Sequence, residues 1–416
     1  MTLVVRRGLI SMFSYRIILI VILTWVISFF STIDANYLHY KNTLIGGRAS
    51  TMAGAYSAIA DDASGVYYNP AGLIYSPYQM MTDSANALSL STLRFYDVDD
   101  DYDWELNSQS FYPNFFALVN KGGSNFAWGV SYVMANIYNE HQQELTPYLT
   151  NSHREDRTVF LGPSLSYRIT DQLSLGMTAY YFSRSFKEQY SQYGSQAGEL
   201  IVASTEEDPL YLSDYELLFH GGMPIIGLIW TPKTHFSVSS TLRYQFNSFS
   251  SLEGNRLSGS GMDLDPSSFV DSIAFTHKQA AYPVQMGLGM TYFASPYFLV
   301  SADFDYFYQT DSNYDHVINW AVGTEYFIMQ SQSIRLGVFT NNTSIKMPTV
   351  TSSGRQHIDL IGFTYGYSFH RGTTSITIGG QYLVGKGRAQ VYSNDSKIFD
   401  YSRSDLSFIV AAGFGI

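Results

Sequence analysis

Fourteen stretches of this chain are predicted to form β-strands, and in the clearest of them apolar and polar residues alternate. In residues 297–309, Phe298 and Phe304 share one face, while Asp303 and Asp305 point the other way. Lipid excludes such carboxylates, but the lumen of a barrel tolerates them. An even number of alternating strands is typical of bacterial outer-membrane barrels, so we expect an all-β fold, a transmembrane antiparallel β-barrel of about 14 strands. The predicted strands are residues 83–95, 108–119, 125–139, 157–169, 173–187, 214–231, 235–249, 281–293, 297–309, 314–328, 333–344, 355–369, 373–387 and 404–416.

The links between these stretches alternate in length. Every second link is short, as in Thr170-Asp171-Gln172, and most of the others are long, with 188–213 and 250–280 the longest. Outer-membrane barrels pair short periplasmic turns with longer extracellular loops. A water-soluble sandwich would not be expected to sort its loops this way. The pattern therefore predicts periplasmic termini and places these two loops outside the cell. The other long links are 96–107, 140–156, 345–354 and 388–403.

The composition also favours strands that face lipid. The chain has 34 Tyr, 28 Phe and only 14% charged residues, whereas a soluble domain has about 25%. The mean hydropathy is near zero because only every second residue of each strand faces lipid. The absence of cysteine excludes a disulfide scaffold and thiol chemistry. The net charge of −11 argues against a nucleic-acid partner, which needs a basic surface.

The first residues have the features of an export signal. Arg6, Arg7 and Arg16 precede the apolar run 17–30, and small and polar residues follow. A spanning helix needs about 20 apolar residues, so this shorter run favours a signal that is cleaved after export. An uncleaved anchor is the alternative. The predicted organisation is a signal peptide at 1–35, an N-terminal segment at 36–82 and an outer-membrane barrel at 83–416.

The segment between the leader and the first predicted strand holds three short blocks in a fixed order. They are Gly-Gly-Arg-Ala at 46–49, Ala-Asp-Asp-Ala-Ser at 60–64 and Tyr-Tyr-Asn-Pro-Ala-Gly-Leu at 67–73. Together they resemble the N-terminal signature of the FadL/TodX family, outer-membrane channels for long-chain fatty acids and aromatic hydrocarbons. The positions that carry the resemblance are Gly46, Gly47, Ala49, Gly54, Asp61, Asp62, Asn69, Pro70 and Gly72.

In the FadL/TodX family the matching segment folds inside the barrel as a hatch, and the resemblance implies the same here. The residue chemistry agrees with this, because small residues permit close backbone packing against a wall. Asn69-Pro70 interrupts any regular element, since proline lacks a donor and restricts the residue before it. The alternative is an ordinary periplasmic extension. Few charges and several aromatic residues in 36–82 argue against disorder.

No catalytic or metal centre is predicted. The nine histidines are scattered without metal-binding spacing. Asp61 and Asp62 suggest a carboxylate pair, but no base or nucleophile accompanies them, so we expect no enzyme activity and no cofactor. The acidic residues of 97–105 form either a solvated face or a divalent-cation bridge to lipopolysaccharide. Outer-membrane lipid and lipopolysaccharide are therefore expected partners.

By resemblance, the protein is expected to be an outer-membrane channel for passive uptake of hydrophobic molecules, such as long-chain fatty acids, other lipids or hydrocarbons. An apolar solute finds no apolar contact in a polar leaflet or a water-filled pore, so it needs an apolar path. In the family the outer loops carry a capture groove, and an exposed apolar patch marks a binding site. The candidates for this groove are Leu200, Ile201, Leu210, Phe269, Ile273 and Phe275.

The family also releases its ligand sideways through a kink in the third strand. The matching segment here is 124–132, where Gly129 permits a bend and Phe126 and Trp128 would flank the gap. The alternative is that Gly129 is an ordinary strand glycine and that these aromatic residues belong to an interfacial girdle.

Two other functions stay open at this point. A structural or protein-interaction barrel, for example a secretion-associated shuttle, would have a polar or filled interior, whereas a lipid channel needs an apolar pocket beside the hatch. A general porin is disfavoured because a plugged lumen conducts poorly. Many outer-membrane barrels end in an aromatic residue that the barrel assembly machinery recognises. Here Phe414 lies two positions before the end, and we expect that machinery to be a partner.

Overall fold

The computed structural model describes residues 32–33, 39–76, 80–99, 102–144, 149–193, 209–260, 275–276, 279–280, 282–349, 356–389 and 398–415. Within these residues, fourteen antiparallel strands form one closed barrel. The strands are β1 Met80–Asp99, β2 Tyr102–Lys121, β3 Phe126–Glu144, β4 Leu149–Thr170, β5 Leu173–Tyr193, β6 Pro209–Lys233, β7 in two parts (Phe236–Tyr244 and Phe246–Ser260), β8 Val284–Ser295, β9 Phe298–Tyr308, β10 Val317–Met329, β11 Gln332–Asn341, β12 Gln356–Arg371, β13 Thr374–Ala389 and β14 Phe399–Gly415.

Each strand pairs with its sequence neighbours, and the last strand closes the circle on the first. β14 runs antiparallel to β1 from Tyr401 opposite Phe95 to Gly415 opposite Met80. The six short turns after β2, β4, β6, β8, β10 and β12 all lie at one end of the barrel, which we call the turn end; the opposite end is the loop end. The predicted fold class is therefore confirmed. The first strand begins at Met80, three residues before the predicted position.

The predicted alternation is visible in the exposure of the side chains. In β14, Phe408, Val410 and Phe414 face outward, while Ser407 and Ala411 are buried. In β9, Phe304 faces outward and Asp303 is buried. The outside of the barrel is therefore apolar at these strands, as a lipid-facing surface requires.

Two of the predicted long links are wrong, because the strands extend through them. β1 and β2 are separated by residues 100–101, and β3 and β4 by 145–148, where 96–107 and 140–156 were expected as loops. Ion pairs between neighbouring strands support these extensions. Arg184 contacts Asp156 at 2.8 Å, and Arg154 contacts Glu188 at 2.6 Å, both between β4 and β5. Such cross-strand pairs keep a polar sheet paired where no lipid covers it.

β7 is interrupted at Gln245, where one continuous strand, 235–249, was predicted. The register to β6 is kept on both sides, with Ile225 opposite Arg243 and Gly222 opposite Phe246. Pro224 therefore lies in the stretch of β6 that faces the interruption. Pro283 precedes β8 on the other side. Proline has no backbone N–H, so neither neighbour can donate a ladder bond there.

The remaining elements are short. They are the helices α1 Gly47–Thr51 and α2 Gly65–Tyr68, a 3₁₀ helix at Pro70–Tyr75, and two-residue strands at Thr32–Ile33, Phe275–Thr276 and Gln279–Ala280. Thr32–Ile33 runs parallel to Gln279–Ala280, and Phe275–Thr276 pairs with β7. Among the described residues, no helix is long and apolar enough to cross a membrane.

Residues 39–76, here called the luminal segment, lie inside the barrel. Inward side chains from strands all around the wall donate hydrogen bonds to its backbone carbonyls, at 2.8–3.1 Å. A short segment that touches β4, β5, β7 and β12 of a closed barrel can only lie in the lumen. The bonds run from Ser166 to Ala71, from Thr178 to Val66, from Ser237 to Ala58 and from Thr364 to Thr51.

Candidate functional site

The third sequence block folds as a turn around Asn69. Its side-chain oxygen accepts from the N–H of Ala71 at 3.1 Å, which caps the 3₁₀ helix, and Pro70 occupies the first helical position. Its side-chain nitrogen donates to the carbonyl oxygens of Ser57, at 2.9 Å, and Leu228, at 3.2 Å. Asn69 thus links two parts of the luminal segment to β6.

The small residues of the blocks lie where the luminal segment touches itself or the wall. Gly46 has a φ of 76° and a side chain there would collide with Ser64. A Cβ on Gly72 would collide with Ala60. Gly47 and Ala49 belong to α1, and Gly54 has a φ of 74° in the turn that follows.

The carboxylates of Asp61 and Asp62 take different partners. Asp61 accepts from Arg48 at 2.6 Å and from the hydroxyl of Tyr56 at 3.0 Å. Asp62 accepts from the N–H of Ser64 at 2.8 Å and from its hydroxyl at 2.5 Å. Burial raises the pKa of Asp62, although the Ser64 hydrogen bonds oppose this.

A buried ionic network joins the luminal segment to the wall. Arg48, on α1, donates two hydrogen bonds to Oε2 of Glu325, on β10, at 2.6 and 2.9 Å. Arg335, on β11, donates to the other oxygen of Glu325 at 2.7 Å, and the side chain of Glu325 is fully buried. Burial alone would lower the pKa of Arg48, but the carboxylates of Asp61 and Glu325 raise it well above its ordinary value.

A cavity of about 80 Å³ lies between the luminal segment and the wall. Part of its lining is apolar, with Phe160, Met223 and Phe307 contributing from three strands. The rest is polar, with Arg243 and Gln285 among the lining residues. A largely apolar pocket with a few polar groups suits a ligand with an apolar body and a polar end.

Three nitrogen atoms of residues that line this cavity are buried without a hydrogen-bond partner among the described residues. They are Nδ1 of His39, Nε of Arg243 and Nε2 of Gln245. Arg243 is held by its Nη2, which donates to the carbonyl of Tyr67 at 2.5 Å, and its guanidinium lies 4.3 Å from the centre of the Tyr67 ring. Burial and the nearby charge of Arg403 lower the pKa of His39 to about 3, so this imidazole is neutral.

The wall beside the cavity is incomplete between β2 and β3. These strands pair only from Phe115 opposite Val133 to Lys121 opposite Ala127. Toward the loop end, the described residues of the two strands are not hydrogen-bonded to each other. β3 also carries an extra residue at Ala135, which bulges it relative to β4 and lines the cavity. A bulge bends a strand and disrupts its pairing.

Gly129, where a kink was expected, lies in a paired stretch of β3, and its part in ligand release stays a prediction. Gly129 is paired on both sides, with Val119 and with Ser164, and its missing side chain would face Val66 of the luminal segment. Phe126 and Trp128 point outward, with 39% and 36% of their surface exposed. The separation from β2 begins beyond Val133, because a glycine permits a bend but the pairing of the neighbours decides where it occurs.

The predicted capture residues fall mostly outside the described part of the chain. Leu200, Ile201, Phe269 and Ile273 lie there. Leu210 belongs to β6 rather than to a loop, because β6 begins at Pro209. Phe275 lies in the two-residue strand beside β7. Their part in ligand capture stays a prediction.

The sequence analysis missed Arg243, Glu325 and Arg335. A signal for them existed, since each is a charged residue within a predicted strand, where lipid would exclude it and a lumen would not. The sequence did not indicate which groups these residues contact.

Comparison with known proteins rests on structure alone. No family model matches the sequence, and no curated protein matches it. The fold is similar to that of a Pseudomonas aeruginosa FadL homologue, with a TM-score of 0.68 and 14% identity over 91% of this chain and 99% of that chain. It is also similar to the Ralstonia pickettii toluene transporter TbuX, with a TM-score of 0.62 and 13% identity over 91% of this chain and 100% of that chain.

A third solved structure, the CymD monoaromatic hydrocarbon channel, gives a TM-score of 0.61 and 13% identity over 91% of this chain and 99% of that chain. All three align over nearly their whole length, so the likeness covers the entire barrel. The resemblance first found in three short N-terminal blocks thus extends to the architecture, and the chain has the fold of the FadL/TodX channels.

Proposed function

We propose that this protein is an outer-membrane channel for the passive uptake of hydrophobic small molecules. The observation that carries the proposal is the cavity between the luminal segment and the wall, which has both apolar and polar linings. A structural barrel would not need such a cavity. A general porin would need an open lumen, whereas hydrogen bonds from four strands fix the luminal segment inside this one.

The ligand would lie with its apolar body against Phe160, Met223 and Phe307. Its polar end, where it has one, would lie near Arg243, whose Nε has no partner among the described residues. Charge-assisted hydrogen bonds from arginine favour a carboxylate or another acceptor. The fold shared with proteins named as a FadL homologue and a toluene transporter supports this ligand class.

The luminal segment would act as the hatch that blocks a straight path, and the ligand would leave sideways. The place for this exit is the separation of β2 and β3 beyond Val133, beside Ala135, rather than Gly129. Outside the barrel, Phe111 on β2 is 70% exposed and offers apolar contact at this edge. Cleavage of residues 1–35, capture by the outer loops, assembly by the barrel assembly machinery and contacts with lipopolysaccharide belong to the same proposal.

Filling the cavity tests this function. Ala135→Trp and Met223→Trp should each abolish uptake of a labelled long-chain fatty acid by intact cells, in protein that still shows heat-modifiable barrel mobility. Leu165→Trp is the matched control, because Leu165 faces outward from β4 and is 51% exposed. Unchanged uptake in both cavity variants would refute the proposed route, and loss of uptake in the control would show that tryptophan disturbs the barrel in general.

A further inference from the structure

Two side chains that line the cavity each keep one buried nitrogen that pairs with nothing in the part of the chain that the structure describes. Nε of Arg243 always carries a proton, so it can only donate a hydrogen bond. Nδ1 of His39 can only accept one, because Nε2 of the same ring donates to the carbonyl oxygen of Ile358 and so holds the single proton of the neutral imidazole. The cavity therefore has one unused donor and one unused acceptor. Buried polar groups of this kind are normally paired.

Neighbouring polar side chains of the lining are already engaged within the protein. Nε2 of Gln285 donates to Asp305 at 3.0 Å, and the hydroxyl of Tyr40 accepts from Gln309 at 2.7 Å. Gln245 keeps its Nε2 without a partner, and this amide can donate there or, turned over, accept. Gln245 therefore adapts to either kind of ligand group and does not by itself select one.

The charges around the cavity are already balanced. An adjoining cavity shares Arg243 in its lining and is lined also by Lys41, Asp303 and Asp305. Lys41 contacts Asp305 at 2.6 Å. Among the lining residues of the two cavities, two cations thus face two carboxylates, and His39 is neutral. An ionised ligand head would bring a further charge that these residues do not neutralise, and a buried charge without a partner is costly.

An ionised fatty acid matches this arrangement poorly. Its carboxylate accepts from Arg243 but has no proton to donate to His39, and a hydrocarbon can do neither. A primary amide or a hydroxyl does both, because its oxygen accepts from Arg243 while its N–H or O–H donates to His39. A site that pairs its polar groups with a ligand discriminates strongly against an analogue that leaves one of them unpaired.

We propose that the preferred ligand has an apolar chain and a neutral head that both accepts and donates hydrogen bonds, as in a fatty amide, a fatty alcohol or a monoacylglycerol. Arg243, as donor, and His39, as acceptor, are then the residues that determine specificity. The inference rests on the proposed uptake function and narrows its ligand class to neutral polar lipids.

Three twelve-carbon probes test this selectivity in the wild-type protein. Dodecanamide both donates and accepts, methyl dodecanoate is neutral and only accepts, and dodecanoate is charged and only accepts. Binding to the purified full-length barrel in amphipol, at neutral pH, is measured by equilibrium dialysis of the radiolabelled probes. Dodecanamide should bind at least about tenfold more tightly than each of the other two, because only it pairs both unused groups.

Two variants assign the selectivity to its residues. His39→Leu removes the acceptor, so the advantage of dodecanamide over methyl dodecanoate should fall to about twofold or less, with methyl dodecanoate bound as before. Arg243→Met should weaken both neutral probes about tenfold, because both use its donor. His370→Leu is the matched control. His370 is half-buried and contacts Ser333 at 3.2 Å, but it does not line the cavity, so all three affinities should stay unchanged.

The wild-type measurements alone can overturn the inference, even if a variant fails to assemble. If dodecanoate binds as tightly as dodecanamide or more tightly, the cavity selects a carboxylate, and the neutral-head class is refuted while the uptake function stands. Equal binding of dodecanamide and methyl dodecanoate refutes it in the same way, because His39 then takes no part. If none of the three probes binds, the cavity is not a ligand site, and the uptake function fails together with the inference.

Discussion

The luminal segment is held by different chemistry on its two sides. Toward β3–β6 it contributes Val66, Leu73 and Ile74 to an apolar cluster, whereas toward β10 and β11 apolar packing is joined by the buried contact of Arg48 with Glu325. Apolar packing has no direction and no matched partner, so it resists any separation in proportion to the area exposed. An ion pair is specific to two groups and can be exchanged for other partners. The comparison teaches that one short segment can be held by packing alone on one side and by packing together with a specific ion pair on the other.

The largest effect that would sharpen this comparison is expected for Glu325→Met. This change leaves Arg48 and Arg335 close together without the carboxylate between them, and should lower the free energy of unfolding by about 3–5 kcal/mol. Urea unfolding of the detergent-solubilised barrel measures it. Arg335→Met should cost less, because Glu325 keeps Arg48. Equal losses in the two variants would show that Glu325 is not the central member of the network.

A smaller loss is expected on the apolar side from Ile74→Ala. Ile74 is fully buried, and its truncation should lower the free energy of unfolding by about 3 kcal/mol through lost burial and the cavity left behind. Neither this loss nor the Glu325→Met loss should depend strongly on salt, because salt screens buried groups much less than exposed ones. The same urea experiment at low and high salt checks this. A strong salt dependence of the Glu325→Met loss would contradict the burial of this ion pair.

The smallest effect is a pH dependence that comes from His39. His39 donates from Nε2 to the carbonyl of Ile358 on β12 at 2.9 Å, and burial lowers its pKa from 6.5 to about 3. The unfolded chain therefore binds a proton that the folded chain does not, so stability falls as pH drops below 6.5. Between pH 6.5 and 5.5 the loss should be about 1 kcal/mol. His39→Gln, which can still donate to Ile358, should remove this slope; an unchanged slope would assign it to another group.

Much of the fold could be predicted because alternation is a local signal. The predicted strand 297–309 matches β9, Phe298–Tyr308, because the polarity of each residue indicates which face of the strand it belongs to. The ends of β1–β4 could not be predicted in this way. Whether residues 96–99 form a loop or a strand depends on partners across the hairpin, such as Asp103, which contacts Arg94 at 3.0 Å.

The candidate site was predictable only in part, for the same reason. The three N-terminal blocks mark the luminal segment. The sequence around Arg48, however, does not indicate its contact with Glu325, which lies 277 positions away. Gly129 shows where a bend is sterically allowed, yet β3 carries its bulge at Ala135, because that position depends on how β4 pairs with it. Contacts of this kind, between residues far apart in the sequence, are set by the closed barrel and not by the local sequence.

The closure of β14 on β1 has a consequence for the order of assembly. The luminal segment leads directly into β1, whose free edge is covered only by β14, the last strand to be made. On α1, Gly47 packs so closely against Ala411 of β14 that a side chain there would collide. The seat of α1 is therefore complete only when β14 is in place. The luminal segment can enter sideways between β1 and β14 before the barrel closes, so it need not thread through a closed barrel. Closing the barrel and docking α1 then become one event.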